Sequence, residues 1–273
     1  MMLIPVKNNV KIAVYDPNPQ GREAVVLVHG WPLAAKMFEY QERRLVNGGY
    51  RVVTLDLRGF GRSDAPGWGY TYDSMADDLY RVVCRMNLRR FTLAGFSMGG
   101  AVALRYMRRF QGYGVKKLAL LSAAAPRFTQ TADFPYGQPI AQADDLIWQA
   151  KTDRAQLAQD FSRMLLYSPH SEAIQDWFRD IALEASGIGT VNAAISLRDE
   201  DGREDLQCVR VPTGIFHGRQ DRVVPFVLAE IQHETIAHSQ LYPFEKSGHG
   251  IVYDELDLFN RRFLEFLRED HGG

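Results

Sequence analysis

The stretch FTLAGFSMGG, residues 91–100, decides the architecture. Phe91 to Ala94 is an apolar run of strand length with no polar alternation, the pattern of a strand covered on both faces. Met98 to Arg109 carries Ala101, Val102, Ala103 and Leu104 together and reads as a buried helix. Between them, Gly95-Phe96-Ser97-Met98-Gly99 matches G-x-S-x-G, and the strand–turn–helix setting is what gives that pattern meaning. A turn this tight forces its central residue into a strained conformation, and glycines two residues to either side relieve the crowding. The strain lifts the Ser97 hydroxyl above the sheet and sets it at a helix N-terminus, where negative charge is favoured. The bland alternative is a glycine-rich helix start with a bystander serine.

Working outward, the same grammar repeats. Strands are predicted upstream at Val10–Tyr15, Ala24–Val28 and Arg51–Leu57, and downstream at Lys117–Leu121, Val211–Phe216 and Gln240–Phe244. Helices fall between them. Ser74–Asn87 places Leu79, Val82, Val83 and Met86 on one face, and Tyr253–Arg268 does the same with Leu256, Phe259, Phe263 and Leu267. Pro225 suits the first position of a helix running to His238. Strands alternating with helices predict an α/β fold, a mostly parallel sheet covered on both sides. The alternation breaks between Arg127 and Asp205, a helical stretch with no convincing strand. We therefore expect residues 1–126 and 206–273 to form one core and residues 127–205 to form a helical cap inserted into it.

Composition narrows the function classes. Lys plus Arg total 32 and Asp plus Glu total 33, a net charge of −1, which argues against a nucleic-acid partner. Two cysteines, Cys84 and Cys208, make no disulfide framework. No apolar run approaches the roughly 18 residues of a membrane span, and MMLIPVKNNV lacks the basic start and long apolar core of a signal peptide. The expectation is a soluble, cytoplasmic protein without a membrane partner. The charge is uneven: Ser122–Asp205 holds 14 acidic and 7 basic residues, so an acidic insertion sits on a basic core.

A serine hydroxyl needs a base, and that base should lie late in the chain on a loop at the carboxyl end of the sheet. His249, in Ser247-Gly248-His249-Gly250, directly follows the last strand. His217 ends a strand but precedes the nearest carboxylate too closely to serve two partners, so it reads as a packed strand-end histidine. His170, His233, His238 and His271 sit in polar contexts and are expected to face solvent. Asp221, just past the Val211–Phe216 strand, is the carboxylate that would orient His249. An oxyanion needs two backbone donors. The Met98 amide is one; Trp31 in His29-Gly30-Trp31-Pro32 is the other, because Pro32 has no N–H. His29 reads as a structural hydrogen-bonding residue. No tight His/Cys/Asp spacing suggests a metal, and no G-x-G-x-x-G fingerprint suggests an organic cofactor.

Together, HGWPL at 29–33, DLRGFGRSD at 56–64, GFSMGG at 95–100, HGRQDRVVP at 217–225 and SGHG at 247–250 resemble the α/β-hydrolase family over nearly the whole chain. GFSMGG with HGWP is similar to its cofactor-free bacterial haloperoxidase, perhydrolase and aryl-esterase branch. The resemblance implies hydrolysis of a small, neutral carboxylic ester through an acyl-enzyme, with the triad Ser97, Asp221 and His249. Peracid formation is the implied side reaction when peroxide replaces water. A serine at position 97, where haloalkane dehalogenases and soluble epoxide hydrolases carry aspartate, argues against their chemistry. The same triad suits lactone, amide or carbon–carbon bond hydrolysis, and the same fold suits a ligand-binding receptor. DLRGFGRSD reads as structural, with Asp56 and Arg58 placed to pair. Residues 127–205 carry no family signature; Phe128, Trp148 and Trp177 there, with Phe96 beside the nucleophile, are the pocket candidates. Oligomeric state is left open.

Overall fold

The structure, a computed structural model, describes residues 1–269. Its centre is an eight-stranded sheet: β1 (Met2–Pro5), β2 (Lys11–Tyr15), β3 (Ala24–Val28), β4 (Arg51–Leu55), β5 (Phe91–Phe96), β6 (Val115–Leu121), β7 (Thr213–Gly218) and β8 (Ser239–Phe244). Their spatial order is β1-β2-β4-β3-β5-β6-β7-β8. β1 and β2 pair antiparallel at one edge, and the remaining six strands run parallel. The helices are α1 (Glu39–Asn47), α2 (Tyr72–Arg85), α3 (Met98–Arg109), α4 (Ile140–Thr152), α5 (Arg154–Leu165), α6 (Glu172–Leu183), α7 (Gly187–Asp199), α8 (Arg203–Gln207), α9 (Val227–Thr235), α10 (Ile251–Asp254) and α11 (Leu256–Arg268).

The parallel strands form because Val25, Val26, Leu27, Val28, Val52, Val53, Leu93 and Leu118 are buried on both sheet faces. Their register aligns the loops that matter. Val28 pairs with Gly95, Phe96 with Leu121, Leu121 with Phe216, and Gly218 with Phe244. The chain therefore leaves β3, β5, β6, β7 and β8 at one edge, bringing residues 29–34, Ser97, 219–226 and 245–250 into one cluster. This is the carboxyl edge, where open parallel sheets bind ligands.

Several local expectations change. Met2–Pro5 is a strand absent from the sequence reading, because only Ile4 of its four residues is buried. The predicted last helix is two, α10 and α11, broken at Glu255 (φ −120, ψ 53). Pro225 precedes α9 by two residues; its carbonyl accepts from Leu228 N and opens the turn into that helix. Asp56 and Arg58 do not pair with each other. Asp56 is saturated by Ala35 N, Arg62 N and the Tyr15 hydroxyl. Arg58 makes a buried bidentate pair with Asp78 on α2, at 2.6 and 2.7 Å. His170 does not simply face water but bonds Asp254. His271 lies outside the described residues.

Helices α4 to α7 lie between β6 and β7 in sequence and meet the core at named points. Trp31 Nε1 donates to Thr190 O at 2.8 Å, and Ser196 Oγ to Tyr70 O at 2.8 Å. Arg105 of α3 pairs with Asp73, Glu200 and Asp205, so acidic residues around α7 and α8 meet a buried core arginine. Asp254 accepts from the Tyr167 and Ser168 amides, from His170 Nε2 and from the Gly248 amide. One buried carboxylate thus joins the α5–α6 linker to the loop that carries His249. Among the described residues, no helix is long and apolar enough to cross a membrane.

Candidate active site

Ser97 stands between β5 and α3 with φ 53 and ψ −120, a left-handed conformation costing on the order of 1–3 kcal/mol in a non-glycine residue. The surroundings hold it there. Its N–H donates to Leu121 O, and its carbonyl accepts from the amides of Gly100 and Ala124. A Cβ on Gly95 would overlap the Gly99 carbonyl, and one on Gly99 would overlap the carbonyls of Val28 and His29. The glycines flanking the serine are therefore required by close backbone approach. Gly30 meets the turn from the other side: a Cβ there would stand 2.7 Å from Ser97 Cβ.

The loop after β3 is pinned by His29. Its Nε2 accepts from Leu57 N at 2.9 Å, so the proton sits on Nδ1, which donates to Gly30 O at 2.9 Å. Burial pushes this imidazole below its ordinary pKa, keeping it neutral in that tautomer. The loop brings the Trp31 amide to the same edge as the Met98 amide at the start of α3. Among the described residues, neither amide donates a hydrogen bond.

His249 and Asp221 meet across 28 residues of sequence. His249 Nδ1 lies 2.8 Å from Asp221 Oδ2, and both side chains are fully buried. Asp221 Oδ1 accepts from the Val223 and Val224 amides at 2.8 Å each, which sets the carboxylate's plane. Burial opposes charge on Asp221. The contacts with His249 and His217 outweigh it and hold the carboxyl well below the usual carboxylate range. The other nitrogen of His249, Nε2, is buried and has no hydrogen-bond partner among the described residues. The His249 ring lies 4.8 Å from the ring of Phe96, the residue preceding Ser97. A buried carboxylate, an imidazole oriented by it, a strained serine one residue from that imidazole's ring contact and two unengaged amides form an arrangement chemically able to support acyl transfer.

Over Ser97 is a small cavity of about 20 Å³, lined by Trp31, Phe128, Leu146, Phe161 and Met164 among others. No charged side chain lines it. Larger clefts lie between α1 and α11, about 370 Å³, and beside Asp56, about 330 Å³, but neither includes Ser97, Asp221 or His249. Chemistry rather than size selects the small one.

Of the pocket candidates, Phe128 lines this cavity and three do not. Phe96 is buried against His249 and supports the ring from the core side. Trp148 is 66% exposed, because α4 turns Ala143, Ile147 and Ala150 inward instead. Trp177 packs edge-on against Tyr40, Phe178 and near Tyr253, in the seam between α6 and the core. Phe161, Leu146 and Met164 were missed; they are ordinary apolar residues on helical faces, with nothing in sequence to mark the face that meets Ser97. Asp254 was also missed, since its four donors come from two segments far apart in the chain. Among the described residues, no group of three or more His, Cys, Asp or Glu is arranged to hold a metal.

Residues 23–256 match the family described as the alpha/beta hydrolase fold, and the chain belongs to the α/β-hydrolase family, a family of hydrolases. It is 46% identical over 242 residues to the AB hydrolase superfamily protein YisY of Bacillus subtilis, covering 89% of this chain and 90% of that one. The esterase EaEST from Exiguobacterium antarcticum superposes with a TM-score of 0.96 at 42% identity, over 98% of this chain and 99% of that one. A bromoperoxidase from Bacillus anthracis does so with a TM-score of 0.93 at 32% identity, again over 98% and 99%. The fold read from the strand–turn–helix pattern, and the likeness to the haloperoxidase and esterase branch, are both shown.

Proposed function

We propose that this protein is a serine hydrolase that cleaves small, neutral carboxylic esters through an acyl-enzyme. The observation that carries the reading is the buried Asp221–His249 pair beside the strained Ser97 turn. In the forward step, Ser97 Oγ attacks the ester carbonyl while His249 Nε2 takes its proton, and ionised Asp221 stabilises the imidazolium. The Trp31 and Met98 amides receive the developing oxyanion. His249 then protonates the departing alkoxide. In the second step it takes a proton from water, which attacks the acyl carbon, and gives a proton to Ser97 Oγ as the acid departs. Hydrogen peroxide in water's place gives the peracid, a side reaction consistent with the bromoperoxidase likeness.

The cavity supports the substrate class. Its apolar walls have no cation to meet an anionic substrate, and about 20 Å³ is room for roughly one water. The helices over Ser97 must therefore yield to admit any ester, and the tight apolar walls favour a short acyl group. The reading needs no cofactor, nucleic acid or membrane partner. Two free, exposed thiols suit a reducing cytoplasm.

The test is turnover of aryl acetates, lactones, anilides and β-diketones side by side. We expect steady turnover with a preference for acetates. Preference for lactones, amides or carbon–carbon cleavage would replace ester with that class. A single slow turnover accompanied by a thermal shift would favour a receptor.

A further inference from the structure

The proposed reaction uses one imidazole on Asp221, but the carboxylate touches two. His217, the penultimate residue of β7, is fully buried, and its Nε2 lies 3.2 Å from Asp221 Oδ2. The same nitrogen is 2.8 Å from the carbonyl oxygen of Val224. A carbonyl has no proton to give, so His217 Nε2 is the donor. Its Nδ1 is buried without a partner among the described residues. The ring meets Phe226 edge-on at 5.7 Å.

These contacts close a circuit. His217 donates to Val224 O. The Val224 and Val223 amides donate to Asp221 Oδ1. Asp221 Oδ2 then meets both His249 Nδ1 and His217 Nε2. A histidine placed merely to fill the end of a strand would not need to set one N–H against both Val224 O and Asp221 Oδ2.

We propose that His217 is a positioning residue for the acid–base pair: it holds the 221–224 loop through Val224 and sets a second N–H against Asp221 Oδ2. The second N–H takes a share of the carboxylate's charge, and His249 receives the rest. His217 thereby tunes how strongly Asp221 Oδ2 holds and polarises His249. His217 and His249 are the titratable groups touching Asp221. Of the carboxylates near the His249 loop, Asp254 holds the Gly248 amide together with His170, and Glu255 holds the Ser247 hydroxyl and the Lys246 amide. Those contacts fix loop backbone and leave the His249 ring to Asp221, with Phe96 on its apolar side.

The proposal rests on the serine-triad reading, and the experiment separates the two. A fluorophosphonate must first label wild-type protein at Ser97; failure there overturns the triad reading itself. The pH dependence of kcat/KM for an aryl acetate is then compared across three variants. Glutamine places its amide nitrogen near the Nε2 position of histidine, and asparagine near Nδ1. We expect His217→Phe to lower kcat by at least about tenfold with KM little changed. Its acidic limb should move to higher pH, because Asp221 Oδ2 then serves His249 alone. His217→Gln should recover most of both effects, and His217→Asn should recover neither. Should the phenylalanine variant fail to fold, the Gln–Asn comparison carries the test. An acidic limb unmoved in every folded variant, or Gln and Asn variants alike in rate and limb, overturns the proposal even if melting temperatures fall.

Discussion

Replacing Gly30 by alanine tests how closely the loop carrying the proposed oxyanion donor Trp31 is set against Ser97, the proposed nucleophile. The added Cβ would stand 2.7 Å from Ser97 Cβ, 2.9 Å from Phe96 Cδ1 and 3.0 Å from the Phe96 carbonyl oxygen. Ordinary van der Waals contact begins near 3.4 Å, so one side must retreat by about 0.7 Å along the tightest approach. The β5–α3 turn is held in place by Ser97 N on Leu121 O and by the Ala124 amide on Ser97 O. The loop carrying Trp31 retreats instead. Oxyanion donors act at about 2.7–3.1 Å, and a displacement near 1 Å costs on the order of 100-fold. We expect Gly30→Ala to lower kcat for an aryl acetate by about 10- to 100-fold, with overpacking costing about 1–3 kcal/mol of stability. The assays are steady-state kinetics and urea unfolding. A folded Gly30→Ala variant with wild-type kcat would refute the placement of Trp31 N in the oxyanion site.

Three further predictions concern the frame. Asp78→Asn leaves the Arg58 guanidinium buried without its counter-charge, and we expect a loss of about 3–5 kcal/mol in urea unfolding at neutral pH; a loss under about 1 kcal/mol would mean the pair is solvated in solution. Leu146→Ala or Phe161→Ala enlarges the cavity over Ser97, so kcat/KM for butyrate or hexanoate esters should rise relative to acetate. An unchanged chain-length profile would place the acyl group elsewhere. Asp254→Ala strips the acceptor from the Tyr167, Ser168 and Gly248 amides. Melting temperature and kcat should fall together, and retention of both would show that this carboxylate does not steady the His249 loop.

The fold was legible because its central strands are solid apolar runs. Val25–Val28 and Phe91–Ala94 have one reading in a two-sided sheet, and the glycines of residues 95–100 mark the turn that follows. Edge and surface elements were harder to see. Along α1 only Gln41 and Leu45 are buried, and Gln41 is inside because its side-chain amide donates to Val252 O; a polar residue at a core position erases the helical stripe. Trp148 and Trp177 do not reach the pocket because α4 turns the first out to solvent and α6 packs the second against Tyr40 and Phe178. The contact between His217 and Asp221 shows the limit most clearly. His217 is a packed strand-end histidine and not the base, as its spacing implies, but the spacing gives no sign that the turn after β7 brings Asp221 back against its ring.

The central claim is that Ser97 is the nucleophile. Wild-type protein treated with a fluorophosphonate, digested and mapped should carry one adduct, on the peptide containing Ser97. Ser97→Ala should fold normally, take no label and hydrolyse aryl acetate slower by several orders of magnitude. Label on another residue, or a folded Ser97→Ala variant with wild-type turnover, would contradict the account.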